Sequence, residues 1–213
     1  MPGDDGRSAA ADWLASAHPR PAEAHRAWKQ PGGLAPLPCG VLFTAVRLPA
    51  LLVHAATRTN DPDTLRTWLS ERLGGPVIHD PSRARYYPLV PTDTVKSWRH
   101  TVAYIRCLEP EQHLNMPAPT AIQPSAQTPY WTVPPTEPHK LCDPEAVKDL
   151  TRHGQRQAAV NGAGWCHWHA GYAPGTRLVT VTGTSSLDAG GRWACPPCRR
   201  THRLQPFYEQ RRN

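Results

Sequence analysis

Long apolar runs, dense charge and abundant cysteine are all missing from this 213-residue sequence. The longest nearly apolar stretch, 48–56, is broken by Pro49 and His54 and falls far short of the ~18 residues a membrane span needs. Residues 1–17 contain Asp4, Asp5 and Asp12 and no continuous apolar segment leading to a cleavage signal. The expectation is therefore a soluble, cytoplasmic protein with no membrane partner. Charged residues make up only 19% and aromatics 8%, eight of them Trp, which leaves material for a core and excludes a chain disordered throughout. Six cysteines are too few for a dense disulfide framework. Also missing are a glycine-rich phosphate loop ending in Gly-Lys-Ser/Thr and any internal repeat, and the spacing of Gly162, Gly164 and Gly171 is not a dinucleotide-binding fingerprint.

What is abundant is turn-forming sequence. Proline contributes 25 residues and glycine 15, about 19% together, which predicts short elements with many turns. Periodicity predicts a helix over 8–17 with Ala10, Trp13, Leu14 and Ala17 on one stripe, and a second over 22–28. Residues 34–38 read as a stiff extended connector, 40–48 as a strand and 50–56 as a short helix. The clearest helix has Asp61 as N-cap, Pro62 in the first turn, a stripe of Leu65, Trp68, Leu69 and Leu73, and a stop at Gly74 and Gly75. Short strands are expected at 77–79, 86–90, 102–107 and 130–133. Residues 109–129, rich in Pro, Gln, Ala and Ser, read as a surface loop, with an interdomain linker as the alternative. Asp143 and Pro144 open a further helix with Val147 and Leu150 inward and Gly154 as its stop. These features divide the chain into an α/β domain at 1–154 and a smaller module at 155–213.

Charge divides it similarly. Residues 1–147 carry 14 Lys/Arg and 14 Asp/Glu, whereas 148–213 carry 10 and 3, so the whole net charge of +7 lies in the last third. A local excess of this kind holds an anionic partner such as nucleic acid, or forms a solvated basic tail.

Within that third, Cys166-x2-His169 is separated by 25 residues from Cys195-x2-Cys198. Each close pair puts two side chains of one tight turn toward the same point, and a hairpin between the pairs can unite them. Three thiolates and one imidazole make a closed, tetrahedral set for structural Zn2+. The segment from 163 to 208 has too few aliphatic residues for an adequate core of its own, so a metal has a physical reason to be there. His167 competes with His169 for the histidine position. A Cys195–Cys198 dithiol and unliganded buried thiols are the alternatives. Cys39, Cys107 and Cys142 read as small buried hydrophobes.

Arg192, Arg199, Arg200, Arg203, Arg211 and Arg212 follow or flank the second pair, interleaved with Trp168, Tyr172, Trp193, Phe207 and Tyr208. Arginine forks pair with phosphate and rings stack on unpaired bases, so Arg192, Arg199, Arg200, Arg203, Trp168 and Tyr172 are the candidate nucleic-acid contacts, to DNA or RNA. A protein-docking surface is the competing reading. Lys96, Arg99 and Arg106 form a phosphate-facing set if adjacent strands align them, and His54, His79 and His100 stand isolated.

Residues 28–150 carry a further signal: Pro31-Gly32-Gly33-Leu34-Ala35-Pro36-Leu37-Pro38-Cys39-Gly40, then Phe43 with Val46-Arg47-Leu48-Pro49, Gly75-Pro76-Val77, and Tyr130-Trp131 with Pro134-Pro135. This stretch resembles the N-terminal domain of actinobacterial bifunctional DNA primase/polymerase-like proteins. The resemblance implies an α/β core related to RNA-recognition folds and, in active members, nucleotidyl transfer with Mg2+ or Mn2+. Where such a member has an acid after the Phe, this sequence has Thr44, and no second acid follows at Val46. The expectation is thus an α+β protein: a primase/polymerase-like core, catalytically degenerate and without assigned catalytic residues, plus a zinc-ribbon-like module that contacts nucleic acid. An active metal-dependent primase/polymerase and a zinc-stabilised interaction or regulatory adaptor are the alternatives.

Overall fold

Apolar side chains at consecutive rather than alternate positions suit a strand covered on both faces. The run 42–48 has this pattern, and the computed structural model, which describes residues 4–98, 105–182 and 190–210, buries it between two layers. The chain proceeds through α1 (Asp4–Ala15), α2 (Pro21–Trp28), β1 (Leu34–Pro38), β2 (Thr44–Pro49), α3 (Ala50–Thr57), α4 (Pro62–Leu73), β3 (Val77–Asp80), β4 (Arg85–Val90), α5 (Thr94–Ser97), β5 (Arg106–Cys107), β6 (His113–Pro117), β7 (Tyr130–Val133) and α6 (Pro144–Val160). It continues with β8 (Ala163–Cys166), β9 (Gly171–Pro174), β10 (Arg177–Thr182), β11 (Gly190–Ala194), α7 (Pro196–Thr201) and α8 (Phe207–Gln210). The architecture is mixed α+β.

Five strands form an antiparallel sheet in the order β5-β2-β4-β3-β7. One face carries Val46, Leu48, Tyr86 and Val90, packed with Leu52 and Val53 of α3, Leu65, Leu69 and Leu73 of α4, and Val147 and Leu150 of α6. The other carries Ala45, Ile78, Tyr87, Leu89 and Trp131, packed with Leu14 of α1, Leu37 of β1 and Met116 of β6. Trp131 is fully buried and its indole nitrogen donates to the carbonyls of Pro117 and Ala118 at 3.2 and 3.1 Å, which ties β7 to the loop before it.

Local grammar places α4 as expected. Asp61 Oδ2 accepts from the Thr64 amide at 2.8 Å, Pro62 occupies the first turn, and Gly74 ends the helix with φ 72°, a left-handed conformation that suits glycine. Trp68 lies at the rim of the stripe, partly buried, with the Arg72 guanidinium 5.5 Å from its ring centroid.

Three expectations need correction. Residues 34–38 are a strand, β1, paired antiparallel with β6 from Leu34 opposite Pro117 to Pro38 opposite His113. Proline hides it in the sequence. In a two-stranded ribbon each strand has an open edge, so a missing N–H costs little, and Pro36 faces solvent while Ala35 and Leu37 are buried. For the same reason 109–129 is neither a plain surface loop nor a linker, because β6 lies within it and buries Leu114 and Met116. Finally, Gly154 does not stop its helix. α6 runs on to Val160, past the boundary drawn between 154 and 155. A Cβ on Gly154 would lie 2.4 Å from the Leu52 carbonyl oxygen, so the glycine lets α6 approach the backbone of α3. Of the strand expected at 102–107, Arg106 and Cys107 form β5, and the part up to residue 104 falls outside the described residues.

Candidate metal centre

Beyond α6 the chain forms two antiparallel hairpins. β8 pairs with β9 from Ala163 opposite Pro174 to Cys166 opposite Gly171, and β10 pairs with β11 with an irregularity between Leu178 and Thr180. Cys166 closes β8, and the tight turn that follows, with Ala170 at φ 49°, presents His169. Cys195 follows β11 and caps α7, and Pro196 and Pro197 start that helix, so its first turn brings Cys198 back beside Cys195.

The two pairs meet. Ligand atoms of Cys166, His169, Cys195 and Cys198 all lie within 4.8 Å of one another. His169 Nδ1 is 3.3 Å from Cys198 Sγ and 3.5 Å from Cys195 Sγ. A tetrahedral ion with bonds of about 2.0–2.3 Å has donor–donor edges of roughly 3.3–3.8 Å, so the two His169–sulfur distances fit a metal of that size. None of the six cysteines is in a disulfide. Among the described residues this is the one group of three or more His, Cys, Asp or Glu side chains that can hold a metal ion.

The strands bring His169, and not His167, into the cluster. His167 is turned to β11: its amide donates to the Trp193 carbonyl at 2.9 Å, and its Nδ1 accepts from the Trp193 amide at 3.0 Å. That ring turns Nδ1 to the backbone, while Nδ1 of His169 faces the thiols. A Cβ on Gly171 would stand 2.8 Å from His169 Cδ2, so glycine there leaves room for the ligand ring.

Electrostatics favour a cation. Burial pushes the Cys166 thiol up, but amides of Cys195, His169 and Trp168 and the Cys198 thiol outweigh it and hold Cys166 down to about 6. Cys198 moves the other way, to about 12, through desolvation and then the neighbouring sulfurs of Cys195 and Cys166. Thiolates this close repel one another, and a divalent ion removes the penalty.

The other candidate residues are distributed around this centre. Arg199 and Arg200 occupy the last turn of α7, Arg200 exposed and Arg199 half-buried, and Arg203 is exposed just beyond. Arg192 is exposed on β11. Trp168 is partly buried against Cys166, Val179, Ala194 and Cys195, while Tyr172 packs against the main core and meets Trp165 edge-on at 6.0 Å. Trp193 is 44% exposed. Arg211 and Arg212 lie outside the described residues, as do Arg99 and His100.

In the α/β domain, Cys39, Cys107 and Cys142 are buried, and burial raises their thiols to about 11, 11 and 12. Thr44 and Val46 are buried, with Thr44 Oγ1 donating to the Leu108 carbonyl at 2.6 Å. Asp61 is a cap and Asp63 lies 3.4 Å from Arg66. Arg106 aligns with Arg47 of β2 rather than with Lys96, which sits on α5. His54 and His79, isolated in sequence, are neighbours in space: His54 Nε2 is 3.1 Å from the Tyr86 hydroxyl, His79 stacks on Tyr86 at 4.1 Å, and His79 Nδ1 is 2.9 Å from the Tyr130 hydroxyl. Sequence spacing gave no signal for this group, since its members come from α3, β3, β4 and β7.

No helix among the described residues is long and apolar enough to cross a membrane. Comparison with protein-family models, curated proteins and solved structures finds no match for this chain.

Proposed function

We propose that the chain is a nucleic-acid-associated protein whose basic C-terminal third is held in shape by a structural Zn2+ on Cys166, His169, Cys195 and Cys198. The observation that carries this reading is the convergence of those four ligand atoms within 4.8 Å. Three thiols and an imidazole are the donors zinc prefers, and four protein ligands leave no open position, which makes the site structural rather than catalytic. Cys195 and Cys198 flank the start of the helix that carries Arg199 and Arg200 in its last turn, so an ion that fixes α7 also fixes those guanidinium groups. Arg192, Arg203, Trp168 and Tyr172 complete the contact set, with DNA or RNA as partner. For residues 28–150 the reading is a primase/polymerase-like domain, and it rests on the sequence resemblance, with which a mixed α+β fold is compatible. Free thiols suit a cytoplasmic setting.

A salt titration of binding to labelled single-stranded DNA tests this. Three or four phosphate contacts give a log–log slope of about −2 to −3. Binding that is independent of salt, or absent, overturns the reading. Exposed Trp193 favours a second possibility, a zinc-stabilised protein-interaction adaptor, and absent nucleic-acid binding would turn attention to it. Primer synthesis with Mg2+ or Mn2+ is the test of the active-enzyme alternative.

A further inference from the structure

Like charges directly opposite each other across a sheet cost stability. Arg47 on β2 stands opposite Arg106 on β5. Arg85 on β4 stands opposite Pro49, two residues along β2 from Arg47, and so shares its face of the sheet. Arg83, at the end of the short turn before β4, joins them with one guanidinium nitrogen 2.9 Å from Asp80. Among the described residues, neither Arg47 nor Arg85 has a carboxylate within ion-pair distance. Arg47 is half-buried, and its guanidinium is held below its ordinary value by burial first, then by Arg85, with Arg106 adding to it and Tyr87 opposing.

These four arginines form one wall of a cleft of about 690 Å³ that, among the described residues, no acidic residue lines. The opposite wall comes from the β8–β9 hairpin: Trp165 and Tyr172, together with the turn at His169. The metal centre therefore positions this wall directly, because Cys166 ends β8 and Gly171 begins β9. A concave site with clustered guanidinium groups on one side and aromatic rings on the other matches a ligand with an anionic end and a planar one.

We infer that this cleft, formed between the sheet edge and the β8–β9 hairpin, binds a nucleotide unit, its phosphate on Arg47 and Arg85 and its base against Trp165 and Tyr172. The preference for phosphate follows from the arginines alone; the choice of a nucleotide rests on the nucleic-acid reading above. The unit is a free nucleotide or one residue of a strand, and the two share this chemistry.

The test uses the full chain, its Arg47→Gln/Arg85→Gln variant and, for comparison, Arg199→Gln/Arg200→Gln. Inorganic tripolyphosphate, a nucleoside triphosphate and a labelled single-stranded 12-mer are titrated at low salt. At least one phosphate-bearing probe is expected to bind the parent chain and to bind the cleft variant tenfold or more weakly, while the cleft variant melts at the same temperature or higher because repelling charges are gone. Trp165→Leu is expected to weaken the two probes that carry bases and to leave tripolyphosphate unchanged, and equal loss of all three overturns the base contact. Equal binding of every probe to parent and cleft variant, or no binding to the parent, overturns the proposal. Strand binding lost only in the Arg199/Arg200 variant also overturns it and leaves the surface reading standing. Binding of the free nucleotide alone, lost in the cleft variant, upholds the cleft and removes the nucleic-acid reading.

Discussion

Around the five-stranded sheet, apolar side chains fill the space on both faces, from Leu52, Leu65 and Leu69 on one side to Leu14, Leu37 and Met116 on the other. Around the cysteine–histidine centre the fully buried side chains are Cys166, Val179, Ala194 and Cys195, and two of these are candidate ligands. A buried aliphatic side chain contributes about 1.5–3 kcal/mol, and ordering one residue of backbone costs about 1–2 kcal/mol. Among the described residues, the hairpins β8–β11 and α7 bury far fewer apolar side chains than the sheet does. The proposed structural zinc would supply about 10–16 kcal/mol, as it does in small modules. On the proposed reading one chain uses two means of folding, and they are separable by experiment.

Withdrawing metal gives the largest expected effect. A strong chelator at neutral pH should unfold the C-terminal hairpins and leave the sheet region folded, giving two resolved thermal transitions where only the later survives. Loss of both together would mean the two regions fold as one. Next, Gly154→Ala should act in the opposite region. Its Cβ meets the Leu52 carbonyl at 2.4 Å, and overpacking of this kind costs about 1–3 kcal/mol, read by denaturant unfolding with metal binding unchanged.

The smallest effect is on pH dependence. Burial, and then the neighbouring His54, hold His79 down to about 4. A folded-state value below the unfolded one means the unfolded chain binds the proton more readily. Stability from this group is therefore complete above about pH 6.5 and is lost as pH falls towards 4, a loss of about 2 kcal/mol once solvent screening of the partly exposed ring is allowed for. His79→Gln should flatten that part of the sheet region's stability curve, and an unchanged curve would assign the slope to other groups.

Much of this was legible where the signal is local. Asp61 with Pro62, the leucine stripe of α4, and the two knuckle spacings are short-range patterns, and the helix and the ligand set follow from them. Pairing over long separations was not. Pro36 and Pro38 concealed β1, whose partner β6 lies some 80 residues on, and Gly154 looked like a helix stop because its real neighbour, Leu52, is a hundred residues away. The row formed by Arg47, Arg85 and Arg106 likewise depends on register between strands far apart in sequence. Spacing pointed to His169 and left His167 as its competitor, and the engagement of His167 by β11 depends on pairing that spacing does not show.

Metal analysis of the purified full chain, alongside its Cys195→Ser/Cys198→Ser variant, bears most directly on the central claim. The account predicts about one zinc per parent chain, none in the variant, and proteolysis of the variant confined to the residues after α6. A zinc-free parent chain whose C-terminal hairpins resist protease as well as the sheet does would contradict it.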